Sequence, residues 1–132
     1  EMQKTIAVAK DLPELEKQTI KIEEALNKLA EVAIHMGQTA MSEKVLNAFA
    51  NAHPFQDATG DVTMAWMLLW RATIAVKKLD KAKKKDKAFY GGIIKSLQFY
   101  VDTQLPITIG RFKALMNTCS VAVDIEDSMF PS

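Results

Sequence analysis

Apolar residues near the start of the chain recur at the spacing of one face of an α-helix. Asp11 is a favourable capping residue, Pro13 suits a first helical turn, and Gly37 is a common residue at a helix end. This pattern predicts a long helix over residues 11–37. The apolar face of this stretch is formed by Val8, Leu12, Leu15, Ile22, Leu26, Leu29, Ala33 and Met36.

A shorter helix is predicted over residues 39–51. Val45, Leu46 and Phe49 share one side of it at helical spacing, and we expect that side to face inward.

A second long helix is predicted over residues 54–80, with Pro54 at its start. Its expected inward face consists of Val62, Ala65, Trp66, Leu69, Thr73 and Val76. Apolar residues also lie on its other sides, namely Met64, Met67, Leu68 and Trp70. The helix is therefore expected to be covered nearly all round. Trp66 and Trp70 could stack on a planar ligand, but an aromatic stripe on a buried helix is more often core, and we interpret it so.

The last long element combines helical spacing with residues that weaken helices. Gly91 and Gly92 lie in its first turns, and their missing side chains predict the close approach of a neighbour. Pro106 cannot donate to the carbonyl of Asp102, so we predict a helix over residues 86–119 that bends near this proline. Its apolar face consists of Tyr90, Ile94, Leu97, Val101, Leu105, Ile109, Phe112 and Met116.

The predicted fold class is an all-α bundle of about four helices, three long and one short, in a single domain over residues 1–132. The pattern contains no strand-like alternation and no internal repeat. The tail at 120–132 is short and acidic, and it is expected to be extended. Since Glu1 precedes Met2, we expect the chain to be a segment of a longer protein.

Composition narrows the possible function. Seventeen Lys and Arg against sixteen Asp and Glu give a formal net charge of +1, which argues against nucleic acid as a partner. The single cysteine, Cys119, cannot form an internal disulfide, so a cytoplasmic location is expected. The longest apolar run, Met64 to Trp70, is far shorter than the ~20 residues of a membrane span.

No catalytic or metal-binding set of residues is complete in the sequence. Glu31 and His35 are four residues apart, whereas a di-iron bundle needs Glu-x-x-His from two helices and two further glutamates. We therefore interpret them as an exposed ion pair and predict no metal site. Cys119 is interpreted as a buried apolar residue, and the residues around Ser42, Ser96 and Ser120 match no nucleophile motif.

Residues Lys77 to Lys87 include seven lysines and two aspartates. One interpretation is a patch that binds anionic lipid or an acidic partner. The interpretation that we favour is a solvated connection between helices that complements the C-terminal end of the preceding helix dipole.

Three stretches together resemble a known family. They are GDVTMAWMLLWRA from Gly60, FYGGIIKSLQFYVDTQLP from Phe89 and NTCSVAVDIEDSMF from Asn117. In this order they resemble the C-terminal domain of a subfamily of bacterial acyl-CoA dehydrogenases that includes the methylmercaptopropionyl-CoA dehydrogenases.

The resemblance implies a parent enzyme of fatty acid metabolism that oxidises an acyl-CoA thioester to the 2,3-enoyl-CoA. It implies FAD as cofactor, the dehydrogenase core of the same chain and an electron-transferring flavoprotein as partners, and a homo-oligomer. The catalytic glutamate belongs to the core, so no catalytic residue is expected in this segment, and its residues in contact with FAD are left unassigned. The alternative is a stand-alone helical module that self-associates or binds anionic surfaces through Lys77–Lys87.

Overall fold

A computed structural model describes residues 1–131 of the chain. These residues form helices and contain no strand, which confirms the all-α class. The α-helices are α1 (Met2–Lys10), α2 (Glu16–Ala40), α3 (Val45–Ala50), α4 (Ala52–Leu79), α5 (Lys84–Thr103), α6 (Leu105–Met116) and α7 (Val121–Asp124). Two short 3-10 helices cover Pro13–Leu15 and Asp127–Met129.

Helix α4 is the central element, because it packs against α1, α2, α5 and α6. The largest fully buried apolar side chains lie where these helices meet, and they are Phe112, Leu15, Ile22, Leu69, Leu97, Leu115, Val32, Val62 and Val101. Most of them were expected on inward faces. No helix in the described part of the chain has both the length and the hydropathy that crossing a membrane requires.

The prediction of one helix over residues 11–37 is wrong at both ends. A separate helix, α1, precedes it, because Pro13 restricts Leu12 to an extended conformation and so ends helical geometry there. Gly37 does not end α2, which continues to Ala40, because Gly37 has an ordinary helical conformation without a positive φ. This break also changes the helical register, so Ile6 and Ala9 are buried on α1 in place of the predicted Val8, which is exposed. Within α2, Val32 is buried in place of the predicted Ala33.

The short helix and the tail also differ from the prediction. Helix α3 covers only Val45–Ala50, and its predicted inward residues Val45, Leu46 and Phe49 are exposed, while Asn47 and Ala48 are buried. This short helix packs against α2, α4 and α7. The tail is not fully extended, because α7 forms there and packs against α3.

Helix α4 begins two residues before Pro54 and has the predicted inward face, with Trp66 only partly buried. The expectation that it is covered on all sides is wrong. Met64 and Met67 are exposed on a side of α4 that the bundle leaves open, and Trp70 is half exposed beside α1. One face of the central helix therefore remains open to solvent.

The element predicted over residues 86–119 is present as α5 and α6, separated at Gln104. Pro106 is thereby placed in the first turn of α6, where the missing N–H has no intrahelical partner to lose. The N–H groups of Ile107 and Thr108 both donate to the Gln104 carbonyl, at 3.0 and 3.2 Å. The interruption thus avoids most of the cost of a proline inside a helix.

Two ion pairs connect neighbouring helices at the surface. Lys10 donates to Glu23 at 2.7 Å between α1 and α2, and Lys21 donates to Asp102 at 2.7 Å between α2 and α5. The hydrogen bond from Lys21 lowers the pKa of the Asp102 carboxyl, with a smaller contribution from the lysine charge. Both pairs are exposed, so each contributes little to the free energy of folding.

Candidate functional site

A cluster of polar side chains surrounds Asp61 of α4 at the point where α5 and α6 meet. The Oδ2 atom of Asp61 accepts hydrogen bonds from Arg111 Nη1 and from Thr108 Oγ1, both at 2.8 Å. Gln104 Nε2 donates to the same oxygen at 3.4 Å, and the Tyr100 hydroxyl donates to the Asp61 carbonyl at 3.2 Å. A single residue of α4 is therefore bonded to both sides of the interruption between α5 and α6.

The helical spacing of the donors explains this geometry. Thr108 and Arg111 share one face of α6, and Gln104, which directly precedes this helix, lies four residues before Thr108 on the same side. The Asp61 side chain is 18% exposed and that of Arg111 is 37% exposed, so the ion pair is partly buried. With three donors already on one oxygen, Asp61 is suited to fixing helices and poorly suited to accepting a substrate proton.

The ionisation of Tyr100 is strongly perturbed by its place in this cluster. Its pKa is raised to about 12, first by burial and then by the negative charge of Asp61 and the hydrogen bond to it, against an opposing effect of Arg111. Sequence reasoning did not find this cluster. The only available signal was the polar row of Gln104, Thr108 and Arg111 on an otherwise apolar element.

Glu31 and His35 do not form the predicted ion pair. Glu31 accepts from Lys28 at 2.8 Å, and the His35 ring is hydrogen-bonded to the hydroxyl of Thr118. Thr118 has a φ of 43°, a left-handed conformation that is uncommon for a residue with a side chain. The hydrogen bond between His35 and Thr118 thus fixes an irregular turn after α6. Over residues 1–131, no group of three His, Cys, Asp or Glu residues is placed to hold a metal ion.

The candidate nucleophiles are not arranged for catalysis. Ser42 and Ser96 donate to carbonyls of their own helical turns, and Ser120 donates to Asp124. Cys119 is exposed, so its interpretation as a buried residue is wrong. In the described structure, no serine or cysteine is hydrogen-bonded to a histidine.

Helix α5 presents an unpartnered row that we call the α5 face, formed by Phe89, Gly92, Ser96 and Phe99. Both phenylalanines are largely exposed, and Phe99 is 70% exposed. The Ser96 hydroxyl donates to the Gly92 carbonyl at 2.9 Å, so its donor is already used. A Cβ on Gly91 or Gly92 would have no heavy atom within 4 Å, so the close neighbour predicted for these glycines is not part of this chain as described.

Helix α4 also carries an open apolar groove. It is lined by residues of this one helix, namely Phe55, Gln56, Thr59, Gly60, Thr63, Met64 and Met67. The hydroxyls of Thr59 and Thr63 donate to the carbonyls of Phe55 and Thr59, each at 2.8 Å. The groove therefore presents mostly apolar atoms despite its two threonines.

The two tryptophans lie on the side of α4 next to α1 and are only partly in the core. Their ring planes are 8° from parallel, with centroids 6.4 Å apart. Trp66 Nε1 donates to Thr5 Oγ1 of α1 at 2.8 Å, whereas Trp70 is half exposed. The core interpretation thus holds in part for Trp66 and is wrong for Trp70.

The lysine-rich connection is exposed throughout its charged positions. Lys77 and Lys78 lie in the last turn of α4, where positive charge is favourable. Lys84, Lys85 and Lys87 lie in the first turn of α5, where positive charge is unfavourable, and no lysine of the connection forms an ion pair within residues 1–131. The interpretation that these lysines complement a helix dipole therefore applies only to Lys77 and Lys78, at the end of α4.

Comparison with known proteins identifies one family. A family model described as acetyl-CoA dehydrogenase C-terminal like matches residues 1–126. No curated protein sequence matches the chain significantly.

Proposed function

The chain belongs to the acetyl-CoA dehydrogenase C-terminal-like family, and from this membership we propose that it is the C-terminal structural domain of an FAD-dependent acyl-CoA dehydrogenase. The parent enzyme would oxidise an acyl-CoA thioester to the 2,3-enoyl-CoA and pass its electrons to an electron-transferring flavoprotein. The subfamily with an additional C-terminal domain, which includes methylmercaptopropionyl-CoA dehydrogenases, is the one that we propose. The match over residues 1–126 is the observation that carries this proposal.

Within that enzyme, we assign this domain a structural role and place the chemistry in the dehydrogenase core. A flavin site is a concave pocket that encloses most of the cofactor, whereas the α4 groove is open and is lined by one helix. The residues of this groove therefore do not fit FAD. The side chains around Asp61 are likewise bonded to one another in a way that fixes helices.

The α5 face is the surface that we propose packs on the core. Phe89 and Phe99 are separated by ten residues, or about 15 Å along the helix, and Gly92 and Ser96 leave a recess between them. Since the Ser96 donor is used within the helix, covering this face would leave that donor satisfied. Exposed aromatic side chains around a recess are typical of surfaces that bind another protein surface.

The first test is to read the coding sequence upstream of Glu1, where a dehydrogenase core is expected. The second uses the parent enzyme, in which Phe99→Asp should increase the rate at which limited proteolysis releases this domain by about tenfold, equivalent to ~1.4 kcal/mol of lost contact. Phe49→Asp is the matched control, because Phe49 is 71% exposed on α3 and lies outside the α5 face. It should leave the release rate unchanged.

The two tests fail in different ways. The absence of an upstream core would overturn the assignment to a dehydrogenase. A core that is present, with equal release rates for the Phe99 and Phe49 variants, would overturn only the role of the α5 face.

A further inference from the structure

The exposed side of α4 has the residue spacing of a coiled-coil seam. Alternate steps of three and four residues along one face of a helix are the spacing at which two helices pack side by side. We call this row the α4 face, and its members, all exposed, are Asp57, Gly60, Met64, Met67, Arg71 and Ile74. The opposite side of α4 is already buried in the bundle, so this row is a second packing face.

The α4 face is suited to close contact with another helix. A Cβ on Gly60 would have no heavy atom within 4 Å, so packing inside the described chain does not require a glycine there. Met64 and Met67 project beside this recess, and the neighbouring hydroxyls of Thr59 and Thr63 are bonded to their own helix. A partner helix could therefore cover the recess without leaving these hydroxyls unpaired.

We propose that the partner is a second copy of this chain, whose α4 packs antiparallel against the first. Asp57 and Arg71 each lie seven residues from Met64, on opposite sides of it. An antiparallel pair centred near Met64 places each Asp57 beside Arg71 of the other copy, twice by symmetry, and brings each Met67 opposite the Gly60 recess. A parallel pair would place like charges together.

The ion pairs within the chain leave Asp57 and Arg71 able to pair with a second copy. Arg71 forms no ion pair among residues 1–131, and Asp57 has only His53, at 3.8 Å. Both charged side chains are thus available to a second copy.

The charges at the two ends of α4 favour the same orientation. The lysine-rich connection follows the C-terminal end of α4, whereas α3, which directly precedes α4, packs against α7 in the acidic tail. An antiparallel pair brings the seven lysines of one copy to the end that carries Asp124, Glu126 and Asp127 of the other. This inference goes beyond the proposed function and does not rest on it, because it concerns contact between two copies of the chain.

Sedimentation equilibrium of the 132-residue chain tests the proposal. We expect a dimer with a dissociation constant on the order of 10 µM, because one helix pair buries less than a standard interface. Met64→Lys should leave only monomer. Ile107→Lys, a matched change of an exposed apolar residue on α6, should leave the dimer intact. Circular dichroism checks that each variant is folded.

A charge-reversal cycle tests the orientation. Asp57→Arg and Arg71→Asp should each weaken dimerisation by about tenfold, and the two together should restore it, because the pair is then attractive again. Monomer at all concentrations, a dimer that survives Met64→Lys, or a double variant that is no tighter than the single ones would overturn the proposal.

Discussion

Asp61 connects two parts of the bundle through a single carboxylate oxygen. Arg111, Thr108 and Gln104 all donate to Oδ2, so the start of α6 is fixed to α4 where the backbone is interrupted. A hydrogen bond to a charged group contributes about 1.5–3 kcal/mol, and the partly exposed Arg111 places its bond near the lower value. The cluster thus compensates locally for the interruption at Gln104.

Tyr100 provides a titration that reports on this cluster. The chain has two tyrosines, so a Tyr90→Phe variant isolates Tyr100, whose phenol should ionise near pH 12 in an ultraviolet absorbance titration. Asp61→Asn should move this ionisation to lower pH, because it removes the nearby negative charge. Asp80→Asn, which changes an exposed carboxylate at the end of α4, should not move it.

The raised pKa of Tyr100 makes the free energy of unfolding depend on pH in the alkaline range. The folded state holds the Tyr100 proton more tightly than the unfolded state, whose pKa is near 10.0. The resulting stability is complete below pH 10 and is lost as the pH rises through about 12. A Tyr100 that ionises with an ordinary pKa in the folded chain would contradict the structure.

At the scale of the helix, Gly92 weakens α5 without a reason inside this chain. Its conformation has no positive φ, and the space beside it is open. Gly92→Ala should therefore raise the free energy of unfolding by about 0.5–1 kcal/mol in urea denaturation of the isolated chain.

The opposite substitution on the same helix, Ala88→Gly, is the control and should lower the free energy of unfolding by a similar amount. A loss of stability in Gly92→Ala would reveal a contact that the structure does not show. In the parent enzyme, the same variant should loosen the domain if the recess on the α5 face is filled by the core.

The long helices were predictable because each buries one continuous face. Ile22, Leu69 and Leu97 all lie on faces that periodicity identifies, and all are buried. Helix α3 was not predictable in this way, because its apolar residues Leu46 and Phe49 are exposed. A hydrophobic pattern shows that a face needs a partner, but it does not show whether that partner lies in the same chain.

The polar cluster could not be predicted for a different reason. Asp61 and Arg111 are fifty residues apart, and their contact depends on how α4 and α6 align in the bundle. Local sequence carries no information on that alignment. Only the spacing of Gln104, Thr108 and Arg111 suggested a polar face, and nothing indicated its acceptor.

At the scale of the whole molecule, the net charge is only +1, but positive and negative residues are concentrated at different places along the chain. Helix α4 has 28 residues, so about 42 Å separates the lysine-rich end from the end near the acidic tail. The antiparallel dimer should consequently weaken as salt rises from 0.1 to 1 M, because the Debye length falls from about 10 to about 3 Å. Sedimentation at both concentrations measures this, and tighter association at high salt would show that apolar contact dominates.

The pairing of Trp66 with Thr5 has an optical consequence. Both tryptophans of the chain lie on α4 beside α1, and one of them, Trp66, is hydrogen-bonded to α1 itself. Intrinsic fluorescence of this protein therefore reports chiefly on the attachment of the first helix. Local opening of α6 would leave the emission nearly unchanged, whereas detachment of α1 would expose both indoles and shift the emission to longer wavelength.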